Sequence, residues 1–490
     1  MTTRLGDLAA DLGVPCPPAW ASVEITGVTD DSRTVSPGVV FVAHRGTHDD
    51  GHAHVADAVA RGAAAVVSER GVEVDDRPCF VVADGRVELA RWAAAFYGRP
   101  TQRLRTVGVT GTNGKTSVCH FVAHLVGPES TAVVGTVENL ARGLRALTTP
   151  SSPAVQRIAR EAVDQGKTTL VLEASSIGLE QHRLDEVAFD VGVFTNLTRD
   201  HLDLHGTLDA YGAAKAILFH GLAPSAVALL NADDPYSDTL RRACRCRVLS
   251  YGVEHSADLK AELVAEDASG IALSIRQGGA SARVTAPVHG LYGASNALAA
   301  LGAALALDVP WSVATERLPS LPAVAGRWNL FRRADGADAI VDFAHTPDGL
   351  FQVLSAVRRI YGKVVIVFGC AGGSDRGKRS QMGEIASRFA DVVVLTQDNP
   401  KYEDPVAIQD EIEAGIRPPS HAARIVDRRE AIEDAARRVG GRGDVLLLAG
   451  KGHETFQIVR GEFLPHSDAA ILESLGFAPV SPDAARGGSS

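Results

Sequence analysis

The run "RTVGVTGTNGKTSVCHFVAHLV", Arg105 to Val126, restricts this chain to a narrow choice of folds. β-Branched residues lead into two glycines, Gly111 and Gly114, and a helical pattern follows directly. A strand that turns through glycines into a helix aims backbone N–H groups and the helix N-terminus at one point, where a polyphosphate binds. Lys115 is placed to reach β- and γ-phosphates, and Thr116 to offer its hydroxyl to Mg²⁺. The spacing is not the commonest one, because Val109 stands where a glycine is usual. A loop of this kind identifies a nucleotide site and leaves the acceptor of the phosphate open.

The rest of the chain repeats the same grammar. "TTLVLEASS", "VGVFTNLT" and "SAVALLNADD" follow in the middle, and "DAIVDFAHT", "KVVIVFGCAGG", "ADVVVLTQDNP" and "GDVLLLAGKGHE" near the end. Strands separated by helix-length segments predict parallel βαβ units, and ligands of such sheets bind beyond the carboxyl ends of the strands. The fold class expected is α/β. Pro- and Gly-rich breaks at "GRPTQRL" and "LPSLPAVAGRW" divide it into domains at 1–100, 101–325 and 326–480, with a disordered tail at 481–490.

Composition excludes several classes. The net charge of −10 argues against a nucleic-acid partner, so anionic substrates must be met by local cations and backbone donors. No apolar run approaches the length of a membrane span, and the N-terminus lacks a signal pattern, so a cytoplasmic protein is expected. Of six cysteines only Cys244 and Cys246 lie close together, which predicts reduced structural thiols and no metal site. On residue type alone, Lys215 in the alanine-rich "DAYGAAKAILF" reads as solvent-exposed, and His201 as a hydrogen-bonded surface histidine.

"GVTGTNGKTS" resembles the ATP loop of the Mur ligase family, whose members join amino acids to a cell-wall precursor. "LEASS", "FTNLTRDHLDLHG", "YGAAKAILF" and "LNADDP" follow in the family's order, then "GRW", "VDFAHTPDGL", "DNPKYEDP" and "AGKGHE". The resemblance is nearest to the branch that extends UDP-N-acetylmuramoyl-L-alanyl-D-glutamate. It implies three domains: one binding the UDP-sugar, a central phosphate-loop domain, and a Rossmann-like amino-acid-binding domain. It also implies ATP-dependent amide formation through an acyl phosphate, as a cytoplasmic monomer.

The resemblance further assigns residues. Lys115, Glu173, His201, Lys215 and Asp342 are catalytic by this likeness. Gly111, Thr112, Asn113, Gly114, Lys115, Thr116, Ser117, Asn231, Asn296 and Arg327 hold ATP. Two Mg²⁺ sites draw on Thr116, Glu173, His201 and a carbamylated Lys215. The nucleotide sugar falls to Ser32, Arg33, Gly46, Thr47 and His48, and its peptide to Thr148, Thr149, Pro150, Ser176 and Arg183. His345 lines the domain interface. The incoming amino acid falls to Ser374, Asp398, Asn399, Lys401, Gly450 and Glu454.

That last group departs from the pattern. Members that add meso-diaminopimelate carry arginine where Ser374 and Lys401 stand, while Gly450 and Glu454 in "AGKGHE" match them. An ammonium does not replace a planar guanidinium fork, and a serine removes the charge. Arg376, two residues beyond Ser374, is a candidate to compensate, although a shift of two residues points its side chain elsewhere. Three readings follow: a cell-wall ligase for diaminopimelate or a related diamino acid, a ligase of a specialised-metabolite pathway joining an unusual amino acid to another carboxylate, and a non-catalytic nucleotide-binding relative.

Overall fold

A computed structural model describes residues 1–46, 49–74, 76–144, 147–418, 420 and 422–480; Thr47, His48 and the tail 481–490 lie outside the described residues. Three large sheets organise them, one after another along the chain.

The first lobe is a four-stranded parallel sheet in sequence order: Gly27–Thr29, Val39–Ala43, Ala65–Ser68 and Cys79–Val81. Its second strand, "VVFVA", is buried at every residue, as a strand covered on both faces must be.

The middle lobe is a nine-stranded sheet. Arg105–Thr110 pairs in parallel with Thr169–Glu173 on one side and Val191–Phe194 on the other. Thr131–Val134 lies outside the former, and Val227–Asn231 and Arg247–Gly252 continue beyond the latter. Strand order therefore reverses at Arg105–Thr110, the place where open α/β sheets bind their ligands. The helix Lys115–Val126 leaves that strand and packs on the alanine-rich helix Gly290–Ala306, with Val118, Val122, Leu298 and Leu301 in one core. Small side chains let the two helices approach closely, and each buried Val or Leu contributes about 1.5–3 kcal/mol. The far edge carries three strands not anticipated from the sequence: Leu259–Asp267, Gly270–Gln277 and Ala280–Ala286. The last two pairings here are antiparallel hairpins with one wet face.

The last lobe has five parallel strands, in the order Ala422–Arg424, Val392–Leu395, Lys363–Phe368, Asp444–Ala449 and Asp338–Asp342. Asn329–Arg333 and Phe477–Pro479 add antiparallel strands at its edge. Its loops face the middle lobe across a cleft of about 1160 Å³. Among the described residues no helix is long and apolar enough to cross a membrane. The six cysteines are free thiols.

Candidate active site

The phosphate loop is held by its backbone. Gly111 has φ 150° and Gly114 φ 90°, a region that side chains avoid. A Cβ on Gly111 would collide with Thr195 Oγ1, and one on Gly114 with Asn296 Oδ1. The segment after strand Val191–Phe194 laces the loop in place. Thr112 N donates to Asn196 O at 2.9 Å, Asn113 N to Asn196 Oδ1 at 2.9 Å, and Thr195 Oγ1 to Asn113 O at 2.6 Å. Helix Lys115–Val126 has no side-chain cap at its N-terminus, so its first N–H groups are left to an anion. Lys115 Nζ donates to Gly111 O and Thr112 O, each at 2.8 Å. Burial pulls its pKa down, against the attraction of Glu173 and Asp200.

Glu173 ends its strand 2% exposed and accepts from Thr136 N at 2.8 Å and from Thr136 Oγ1 at 3.4 Å. A Cβ on Gly135 would press on the same carboxylate. His201 occupies the left-handed region at φ 53°, its ring edge-on to Tyr211. Burial pushes its pKa down to about 4, with Lys115 and Lys215 adding to the effect and Asp200 opposing it, so the imidazole is neutral near pH 7. Neutral imidazole is the form that binds metals.

Lys215 corrects the reading from residue type. It is 1% exposed, because helix Leu208–His220 turns Tyr211, Ala214, Lys215 and Leu218 inward together. Its Nζ donates to Gly111 O at 2.9 Å and sits 3.9 Å from the Tyr211 ring centroid. Burial, and then repulsion by Lys115, hold its pKa well below that of a free lysine.

Arg327 reaches across the cleft from the last lobe to Thr116 Oγ1 at 3.3 Å, its guanidinium over the Phe343 ring. Asp342 is a buried strand-end cap, accepting from Trp328 N and Ala344 N at 2.8 Å each. Burial raises its pKa, while Arg327 lowers it. Asn231 is engaged by the protein, donating to Thr195 O at 2.7 Å and accepting from Asp233 N at 3.0 Å. Thr112, Asn113, Thr116, Ser117, Asn231, Asn296 and Arg327 all line the cleft, with Thr148, Glu173, His201, Asp342 and His345.

Towards the first lobe, Arg183 donates to Thr149 O at 2.8 Å, Thr149 Oγ1 donates to Glu173 O at 2.7 Å, and Ser176 Oγ lies 3.0 Å from His205 Nε2. Pro150 is buried beside them. Ser32 is buried in a turn capped by Asp31, whereas Arg33 is exposed and paired with Asp31 at 2.8 Å. Gly46 N bonds to Asp49 O at 2.8 Å.

Residues 24–95 match the Mur ligase family, catalytic domain; 109–304 the Mur ligase middle domain; and 326–452 the Mur ligase, glutamate ligase domain. The UDP-N-acetylmuramoyl-L-alanyl-D-glutamate–2,6-diaminopimelate ligase of Bacillus licheniformis is 39% identical over 471 residues, covering 93% of this chain and 96% of that protein. Its counterpart from Agrobacterium fabrum is 41% identical over 473 residues, covering 92% and 93%. The chain belongs to the Mur ligase family. A solved structure of a ligase with the same printed name superposes with a TM-score of 0.68 at 33% identity, covering 97% of this chain and 98% of its own. MurF ligase from Thermotoga maritima in complex with ADP, 22% identical and covering 87% and 94%, shares the fold with a TM-score of 0.66. The expected three-domain α/β architecture and ATP-dependent ligase class are borne out.

Behind Glu454 and Ile458, which line the cleft from the last lobe, side chains of this Mur ligase hold one another. Asn399 Oδ1 accepts from Lys451 Nζ at 2.9 Å and Ile458 N at 3.0 Å, which turns its Nδ2 onto Glu454 Oε2 at 3.0 Å. Lys451, fully buried, also bonds Glu454 and lies 3.8 Å from Asp398. A Cβ on Gly450 would collide with Asp398 Oδ2. Ser374 Oγ donates to Ala371 O at 2.8 Å. Arg376 is bound to Glu411, so it does not stand in for a cation at position 374. Lys401, at φ 54°, lies against Gly373. Residue-by-residue reading missed Lys451 and Thr136. Lys451 stood inside the quoted "AGKGHE", while Thr136 carried no motif at all.

Proposed function

We propose that this Mur ligase joins a diamino acid, of the diaminopimelate kind, to UDP-N-acetylmuramoyl-L-alanyl-D-glutamate for peptidoglycan synthesis. ATP supplies the driving force. A terminal carboxylate of the nucleotide-sugar peptide attacks the γ-phosphate, giving an acyl phosphate and ADP. The amine then displaces phosphate, forming the amide and releasing a proton.

One observation carries the reading: the amines of Lys115 and Lys215 converge on a single acceptor, Gly111 O, at 2.8 and 2.9 Å. Two buried ammonium ions at one carbonyl repel, and burial together with that repulsion pushes the Lys215 pKa down, which favours its neutral amine. A neutral amine is nucleophilic towards carbon dioxide, and carbamylation would make this side chain an anion facing a cation. It would then add an oxygen ligand to Thr116, Glu173 and His201. Among the described residues no group of three or more His, Cys, Asp and Glu side chains is placed to hold a metal. A sparse set of this kind suits Mg²⁺, which keeps waters and substrate phosphates in its shell. Mg²⁺ held there would neutralise charge between phosphate and carboxylate oxygens.

The protein's own groups do the positioning. Loop N–H donors and Lys115 orient the phosphates, and Arg327 and Asp342 bring the last lobe over them. That closure keeps water from the acyl phosphate. Asp398, Asn399 and Glu454 face the incoming amine, with Lys401 as the cation for a distal carboxylate. Ser374 and Lys401 favour a second reading, a related acceptor in a specialised-metabolite pathway.

Product mass and phosphate release, measured with the UDP-linked dipeptide, ATP, Mg²⁺ and a panel of amino acids, test the proposal. Amide formation with meso-diaminopimelate supports the first reading. Turnover only with another amino acid favours the second, and none with any overturns the first.

A further inference from the structure

The segment 195–201, between strand Val191–Phe194 and helix Leu202–His205, touches two functional regions at once. One side holds the phosphate loop: besides the bonds of Thr195 and Asn196, Thr112 Oγ1 donates to Thr198 O at 3.1 Å and accepts from Thr198 N at 3.0 Å. The other side meets the last lobe. Arg199 Nε and Nη2 donate to the two carboxylate oxygens of Asp375 at 2.7 and 2.9 Å. The adjoining Asp200 is buried, 3.7 Å from Lys378 Nζ and 3.7 Å from His345 Nε2.

Asp375 belongs to the run that carries Ser374. Its Oδ1 also accepts from Gly377 N at 2.9 Å, and Gly372 N in the same run donates to Asn399 O at 2.9 Å. Bonds therefore run without a break from the phosphate loop through 195–201 and 372–377 to Asn399. Gly377 leaves room where the guanidinium crosses: a Cβ there would push Arg199 Nη2 aside.

We propose that the Arg199–Asp375 pair couples the phosphate loop to the acceptor loop, so that nucleotide binding at one end orders residues 371–378 at the other. Both are positioning residues for the ligase reaction. A bidentate guanidinium–carboxylate pair fixes orientation as well as distance. The Arg199 side chain is 40% exposed, so the pair adds little to global stability and its effect lies in geometry. By linkage the acceptor amino acid must tighten nucleotide binding by the same factor.

The proposal rests on the nucleotide site described above, and hydrogen exchange of the full chain with β,γ-methylene-ATP and Mg²⁺ separates the two. In the parent protein the analogue protects 111–117 and slows exchange in 371–378 about tenfold. Arg199→Met and Asp375→Asn keep the first protection, within about twofold, and lose the second, at unchanged melting temperature. The double variant loses no more than either single one, and Arg199→Lys recovers part. Gly377→Ala gives the same loss by displacing the guanidinium, and serves if Arg199→Met does not fold. Protection of 111–117 without slowing of 371–378, slowing that survives in the single variants, or additive losses would each overturn the coupling alone. No protection at 111–117 would overturn the nucleotide site and the coupling with it.

Discussion

At the phosphate end of the cleft, functional groups are placed by backbone: two glycines in unusual conformations, an uncapped helix N-terminus, and strand ends bearing Glu173 and Thr110. At the end where the proposal puts the incoming amino acid, placement depends on side chains bonded to one another, Asn399 to Lys451 and Glu454, and Arg379 to Glu403 and Glu411. Backbone geometry tolerates few residue types at each position. A side-chain network can be rebuilt one residue at a time, and Ser374 and Lys401 show it carrying a different cation set from the one the family likeness implied. Residue choice is thereby constrained more tightly at the phosphate end than among these side chains.

The largest effects belong to the phosphate end. Glu173→Ala and Lys115→Ala are each expected to cut amide formation by roughly 10³-fold, the loss typical of a group that stabilises developing charge. ADP release under saturating substrates checks this, and near-normal turnover in either would break the contrast. Gly114→Ala comes next. Left-handed strain of about 1–3 kcal/mol, with the contact on Asn296, should weaken nucleotide binding about tenfold or more, measurable by calorimetry.

The acceptor end should respond in the opposite sense. Ser374→Arg together with Lys401→Arg is expected to raise kcat/KM for meso-diaminopimelate by several-fold, up to about tenfold, with KM for ATP unchanged. Unchanged or lower efficiency would show that the distal carboxylate is held elsewhere.

An effect on stability, separate from the reaction, lies at the join between middle and last lobes, where His289 stacks on Trp328 with ring centroids 4.4 Å apart. Burial pushes the pKa of His289 down to about 4 from the usual 6.5. The unfolded chain therefore binds more protons between those values. The stability this neutral ring contributes is complete above pH 6.5 and declines as pH falls towards 4, at up to ~1.4 kcal/mol per pH unit. His289→Phe keeps the stack and removes the titration, so its denaturation midpoint should fall less between pH 6.5 and 4.5. An identical fall would assign the acid sensitivity elsewhere.

This contrast also explains what was legible in the sequence. Parallel strands, the glycine loop and the charged strand ends have local signatures, because β-branched runs and punctuating glycines dictate backbone directly. Lys215 was misread from its surroundings, since alanines on a helix do not reveal which face is covered. Arg199 and Asp375 are 176 residues apart and meet only through lobe packing, which no local pattern encodes. The hairpins at 259–286 were missed although "DASG" and "QGGA" mark their turns.

In the proposed reaction a carboxylate attacks ATP directly, and its oxygen leaves with the phosphate that the amine displaces. Isotope transfer tests it most directly, with ¹⁸O placed in the terminal carboxylates of the nucleotide-sugar dipeptide. The account predicts one labelled oxygen in each phosphate released alongside the new amide. Unlabelled phosphate accompanying amide formation would contradict it.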